Sequence, residues 1–282
     1  EIWNGMPFFT PVWARTPRVV WLHHVHDSMW EMTLPPRLAR LGRMLEFRIA
    51  PPLYRNTQIV TLSESSKREI VDKLHLRSQH ITVVSPGIDP MFVPGAARDA
   101  QPLVLAVGRL VPVKRLVALV EALAAIKPRH PQLRAVFVGE GYERDLIERR
   151  VSELHAEDWI ALPGRVDDRE LVELYQRAWL LASASRHEGW GMSITEAAAC
   201  GTPAVATRIA GHEDAIVHGV TGLLVDTDGE LAGGIDRVLT DEVLRSQLGA
   251  AARTHAARYT WHATALGTLE VLAAELQRHS RA

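Results

Sequence analysis

The stretch Leu103-Val-Leu-Ala-Val-Gly-Arg-Leu-Val-Pro-Val-Lys-Arg-Leu116 opens on an aliphatic run, stops at a glycine and resumes as a basic, apolar segment. An uninterrupted apolar run of this length predicts a strand buried on both faces, as the strands of parallel sheets are. Gly108 permits a tight turn at its end, which puts Arg109 at the carboxyl edge of the sheet, where open α/β folds bind ligands. Lys114 follows in the first turn of a helix expected over 113–127, near enough for both cations to meet one diphosphate. The same spacing also suits two solvated bases flanking a loop.

Strand, turn and helix recur on both sides of this segment. Short aliphatic or β-branched runs at 18–23, 58–62, 80–85, 134–138, 159–162, 180–184, 204–206 and 223–225 alternate with helical patterns. The helices are expected at 37–49, 64–74, 142–154, 168–177, 193–199, 212–217 and 228–257. Such alternation predicts right-handed β-α-β units and an α/β fold with parallel sheets. Between 86 and 102 four prolines and two glycines interrupt both periodicities, which reads as a linker. The expected organisation is a first domain over 1–92, a linker over 93–102, a second domain over 103–262, and a last helix over 263–282 packing across both. The apolar positions of that helix are Leu266, Leu269, Leu272, Ala273 and Leu276.

With 282 residues, 47% of them hydrophobic, the chain has enough material for two ordinary cores. Basic and acidic residues number 32 and 33, without long runs of either sign, so nothing points to nucleic acid. The single cysteine, Cys200, excludes an internal disulfide framework and fits a reducing compartment. No apolar run approaches the roughly 20 residues that span a bilayer. The first residues, Glu1-Ile-Trp-Asn, show neither an initiator methionine nor a signal pattern, and suggest a chain that starts partway through a domain.

Further segments carry chemistry-bearing residues. Glu188-Gly-Trp-Gly-Met-Ser-Ile-Thr-Glu196 puts two carboxylates at the ends of a glycine-rich loop that runs into a short helix. The amides of its middle residues, backed by a helix N-terminus, suit an anionic leaving group. Alternatively, Ser193-Ile-Thr-Glu196 is a capping box and Glu196 turns back to the Ser193 amide. Val136-Phe-Val-Gly-Glu-Gly-Tyr142 holds a Gly-x-Gly without a third glycine at dinucleotide spacing, and reads as plain turn chemistry. In Trp21-Leu-His-His-Val-His-Asp27, His24 and His26 share a strand face; one histidine facing a cleft is a better use than zinc. Asp226-Thr-Asp228 reads as strand end and helix cap rather than as a metal site. Arg37, Arg40, Arg43 and Arg48 alternate with Leu38, Leu41, Met44, Leu45 and Phe47, so the helix over 37–49 either packs inward or lies on an anionic membrane.

The ordered series Leu162-Pro-Gly-Arg-Val-Asp-Asp168, the Glu188 and Glu196 pair, Ala199-Cys-Gly-Thr-Pro-Ala-Val-Ala206 and Gly211-His-Glu-Asp-Ala-Ile-Val-His-Gly-Val-Thr-Gly-Leu-Leu-Val225 resembles the retaining glycosyltransferases of family 4. That family has the GT-B fold, two Rossmann-like domains with parallel sheets. The resemblance implies donor binding in the second domain: Gly108, Arg109 and Lys114 at the diphosphate, Glu188 at the sugar hydroxyls, Glu196 at the ribose and backbone near Val166 at the base. Gly189, Trp190, Gly191 and Met192 would offer backbone amides, and His26 aligns with the family's histidine beside the transferred sugar. The implied catalytic set is His26, Arg109, Lys114 and Glu188.

The reaction so implied moves a hexosyl group from GDP-mannose or a UDP-sugar to a glycan or lipid-linked acceptor, without metal or cofactor. Its setting would be cell-envelope polysaccharide or glycolipid biosynthesis, cytoplasmic or peripheral at the inner membrane face. The competing readings are a non-catalytic nucleotide-sugar-binding fragment and a related GT-B epimerase or phosphorylase. Two features depart from the family pattern. Its glycine-rich donor loop is expected upstream of Glu1, and Pro86-Gly87 stands where Asn-Gly is usual.

Overall fold

A computed structural model describes residues 1–280 and divides the chain into two compact units. The first comprises Glu1–Gly87, Glu188–Trp190 and the residues from Tyr259 onward. Its sheet holds four parallel strands, β1 (Ile2–Trp3), β2 (Val19–Leu22), β3 (Gln58–Thr61) and β4 (Ile81–Val83), in that spatial order. Side chains alternate across a strand. Thus Val20 and Leu22 join Trp3, Tyr54, Ile59 and Ile70 on one face, while Val19 joins Val60, Val84 and Val271 on the other.

Val271 belongs to the last helix, Trp261–Ser280, which is part of the first unit. The Thr264 hydroxyl donates to the Ser85 carbonyl at 2.8 Å, and Arg278 donates to the Asn56 carbonyl at 3.1 Å. The expected apolar stripe is offset from the buried ridge: Leu266, Leu269, Leu272 and Leu276 are exposed, and Val271 and Glu275 are buried.

The second unit comprises Ile88–His187 and Gly191–Arg258. Its six parallel strands are β5 (Leu103–Val107), β6 (Arg134–Val138), β7 (Ile160–Gly164), β8 (Leu180–Ser183), β9 (Ala204–Thr207) and β10 (Gly222–Val225). They lie in the order β10-β9-β8-β5-β6-β7. The chain therefore builds outward from β5 to one edge through β6 and β7, then returns to β8 and builds to the other. The reversal between β5 and β8 is a topological switch point, and the crevice at the carboxyl ends of those two strands is the place such a sheet reserves for a ligand.

The proline-rich segment is ordered within this unit. Phe92 meets the Tyr175 ring edge-on at 5.6 Å, Arg98 donates to the carbonyls of Gln176 and Ala178 at 3.1 and 2.8 Å, and Asp99 pairs with Arg177 at 2.6 Å. Prolines there exclude helix and strand, and side-chain donors satisfy the backbone instead. The single helix expected over 228–257 is two, Asp228–Thr240 and Glu242–Ala256, because Asp241 caps the second by accepting from the Leu244 amide at 2.9 Å.

Candidate active site

At the switch point a small pocket is lined by Gly108, Arg109, Lys114, Ser183 and Ser185, among others. Gly108 turns with φ +153°, and a Cβ there would lie 3.2 Å from Lys114 Cε and 3.3 Å from its Nζ, so the lysine head lies over the bare glycine. The expected helix start is corrected here: Lys114 ends the 3₁₀ turn Pro112–Lys114, and the α-helix Leu116–Ile126 follows only after Arg115, at φ 51°. Neighbouring strands fix the loop. Leu110 N–H donates to the Glu140 carbonyl at 2.9 Å and Glu143 N–H to the Leu110 carbonyl at 3.1 Å, so the Gly139-Glu-Gly141 turn is a brace. Arg186 N–H donates to the Val113 carbonyl at 2.8 Å from beyond β8. Lys114 is half-buried, whereas Arg109 is exposed with no ion pair among the described residues.

The helix after β8 is Met192–Ala199, one residue earlier than expected. Gly191, at φ +102°, ends the loop in a left-handed conformation and starts the helix without a side-chain cap. Ser193 is therefore inside the first turn and the capping box does not form. Glu196 instead accepts a 2.7 Å hydrogen bond from the Tyr175 hydroxyl, and Tyr175 is itself fully buried. Burial raises the Glu196 carboxyl above its ordinary range, and the tyrosine hydrogen bond opposes that rise. The helix that supplies Tyr175, Asp168–Arg177, starts beside half-buried Val166 and is capped by Asp167, which accepts from the Glu170 amide at 2.8 Å.

His26 and Glu188–Trp190 belong to the first unit. His26 follows β2, with its ring stacked on His24 at 4.8 Å and tilted against Trp30 at 5.2 Å. The Gly189 carbonyl lies 3.1 Å from the hydroxyls of both Ser63 and Ser66. Ser63 also caps the helix Glu64–Leu74, accepting from the Ser66 amide at 3.0 Å. The Trp190 side chain is buried, edge-on to Tyr259 at 4.9 Å, which leaves its backbone as the part expected to meet a ligand. The glycine-rich loop is thus shared out, with Glu188, Gly189 and Trp190 in the first unit and Gly191, Met192 and Glu196 in the second.

The remaining candidates resolve simply. Asp226 pairs with Arg208 at 2.9 Å and Asp228 with Arg115, while Thr227 between them caps a helix by accepting from the Glu230 amide at 3.2 Å. Among the described residues no three His, Cys, Asp or Glu side chains gather as a metal site. A cavity of about 600 Å³ lies elsewhere in the second unit, along residues 94–99, but two of the three arginines that line it are engaged. Arg98 is spent on carbonyls, and Arg245 donates to the Val238 carbonyl while lying 4.0 Å over the Trp179 ring.

The model of one protein family, glycosyl transferases group 1, matches residues 89–255. The chain belongs to that family. Among its group 1 relatives, the D-inositol 3-phosphate glycosyltransferase of Thermobispora bispora is 31% identical over 268 residues, covering 87% of this chain and 61% of the relative. That of Stackebrandtia nassauensis is 33% identical, covering 79% of this chain and 55% of the relative. The chain thus spans little more than half the length of these relatives. Sucrose-phosphate synthase from Thermosynechococcus elongatus superimposes with TM-score 0.82 at 24% identity, covering 96% of this chain and 70% of that one. Anabaena HepE, solved with UDP and glucose, superimposes with TM-score 0.76 at 23% identity, covering 93% and 72%. These likenesses show the GT-B fold, with its two α/β units and parallel sheets.

Tyr175, Ser63, Ser66 and Glu46, the last of which accepts from the His26 amide at 2.7 Å, emerge only from the structure. Each supports a candidate residue from a distant part of the sequence, so no local motif announced it.

Proposed function

We propose that the protein transfers a hexosyl group from a nucleoside-diphosphate sugar to a glycan or lipid-linked acceptor, with retention and without a metal. The observation that carries this reading is the clustering of Gly108, Arg109 and Lys114 in one pocket at the switch point of the second unit. Departure of the donor's diphosphate builds negative charge on phosphate oxygens, and a lysine with a neighbouring arginine stabilises it without a divalent ion. Glu196 would accept from the ribose hydroxyls and Glu188 from those of the sugar. In most glycoside hydrolases a carboxylate pair supplies acid and nucleophile; here both acids bind, and the departing phosphate oxygen takes the acceptor's proton on the face it leaves. HepE with UDP-glucose supports a UDP-sugar donor, with GDP-mannose as the other candidate, and the relatives named D-inositol 3-phosphate glycosyltransferase support transfer to a hydroxyl-bearing acceptor.

Titration of the full-length protein with UDP-, GDP- and ADP-sugars tests this. One base should bind preferentially and its sugar should be transferred or slowly hydrolysed. Binding without turnover would favour a non-catalytic binding module, epimerised or phosphorolysed product a related GT-B enzyme, and no binding would sink the proposal.

A cytoplasmic, peripheral membrane setting is part of the same proposal. In the helix Pro36–Met44 and the turn after it, Leu38, Leu41, Met44 and Ile49 are 39–51% exposed beside exposed Arg37, Arg40 and Arg48. An apolar ridge flanked by arginines suits an anionic bilayer surface. Sedimentation with vesicles containing anionic lipid should capture the protein, and high salt or Glu at all three arginines should release it; indifference to lipid charge would contradict the idea.

A further inference from the structure

We propose that Glu46 is a positioning residue for His26, fixing the backbone that presents its imidazole beyond the carboxyl end of β2. This rests on the reading of His26 as a group beside the transferred sugar.

Glu46 is fully buried, and no cation pairs with it among the described residues. Its carboxylate is matched only by N–H groups: His26 N donates at 2.7 Å, Asp27 N at 3.3 Å and Trp30 Nε1 at 2.8 Å. A carboxylate without a counter-ion is costly to bury, so all three donors are needed to hold it there. They come from one short stretch, the stretch that carries His26. Trp30 also walls the His26 ring, so a single carboxylate fixes both the backbone under the imidazole and the surface beside it.

The local backbone is one that requires such support. Asp27, next to His26, has φ +41°, a left-handed conformation that non-glycine residues rarely adopt and that persists where surroundings impose it. Here they do so from several sides. The Asp27 amide donates to Glu46, while Arg43 and Lys73 hold the Asp27 carboxylate at 2.6 and 3.0 Å. Glu46 reaches this position from the π-helical turn Leu45–Ile49, an irregularity of the kind frequent at functional sites. Glutamine has nearly the same shape but a single acceptor oxygen, and its amide nitrogen would face an N–H that now donates.

The test is a double-mutant cycle in the full-length protein with Glu46→Gln and His26→Ala. Glu46→Gln should lower kcat about 10- to 30-fold, since small misplacements at a reacting centre are costly. The donor KM should stay close to wild type, the melting temperature should fall modestly because a buried N–H loses its acceptor, and exchange of the His26 amide should quicken. The double variant should be no slower than His26→Ala alone. If Glu46→Gln cannot be purified folded, Trp30→Phe keeps the ring wall but deletes the indole donor, and its smaller kcat loss should likewise vanish in the His26→Ala background. Multiplicative losses, or full activity in Glu46→Gln while His26→Ala is impaired, overturn this inference and spare the role of His26. Full activity in His26→Ala overturns that role and the inference with it.

Discussion

Replacing Lys114 with alanine is expected to lower kcat on the order of a thousandfold and to leave the melting temperature nearly unchanged. The lysine head lies over Gly108 at the switch point, half-buried, where its charge is less screened than in open water. Its interaction with the diphosphate grows as the sugar departs, so the loss should fall on kcat more than on affinity for the free nucleoside diphosphate. Arg109 is exposed, and its alanine variant should lose only about tenfold, with an effect that shrinks as salt rises. Lys114→Arg should not restore activity, because the lysine head lies so close over Gly108 that even a Cβ added there would stand 3.2 Å from its Cε, and a planar guanidinium is bulkier. Steady-state kinetics on the three variants decides the matter. Wild-type kcat in both alanine variants would return these residues to the status of solvated loop bases.

The strands were legible wherever both faces of a sheet are covered. The run at 103–107 is buried throughout but for Val107, and such runs are visible without any knowledge of the neighbours. β1 escaped because Ile2–Trp3 is too short to show a period. The proline count at 86–102 correctly excluded helix and strand but said nothing of order, which comes from Arg98 and Phe92 reaching residues about eighty positions away. At the site, the bend after β5 could be read locally, since one glycine and two bases sit within seven residues. The capping box at Ser193 could not be rejected locally, because what displaces it is the left-handed Gly191 in front and Tyr175 behind, 21 residues upstream of Glu196. Glu46 was hidden for another reason. It lies off the apolar stripe of Leu38, Leu41 and Met44 and so reads as one more polar surface residue, whereas the face this helix buries is the one that carries Ala39, Gly42 and Glu46.

Glu196→Gln and Glu188→Gln are expected to separate the two ends of the donor. Glu196 is fixed by Tyr175 in the second unit, and a carboxylate so held can accept from both ribose hydroxyls. Its amide variant should weaken nucleoside diphosphate binding about 10- to 100-fold, the range for hydrogen bonds to a charged group. Glu188→Gln should leave free nucleotide binding unchanged and lower transfer from the intact donor on the order of 100-fold. Because burial raises the Glu196 carboxyl, the folded chain binds a proton there more tightly than the unfolded chain. The stability this gives is present at low pH and is lost as pH rises through the raised value. Glu196→Gln therefore removes no stability at neutral pH, and a weakened nucleotide affinity cannot be ascribed to unfolding. The binding profile carries the opposite sign. Ribose hydroxyls favour the ionised acid, so affinity should fall as pH drops through the raised value, and Glu196→Gln should abolish that dependence. Tyr175→Phe removes the group that holds the carboxyl down, so the fall should move to higher pH. Calorimetric titrations of nucleoside diphosphate across that range test the assignment: equal losses of free-nucleotide affinity in the two glutamine variants, or a Tyr175→Phe profile that does not move, would remove Glu196 from the ribose.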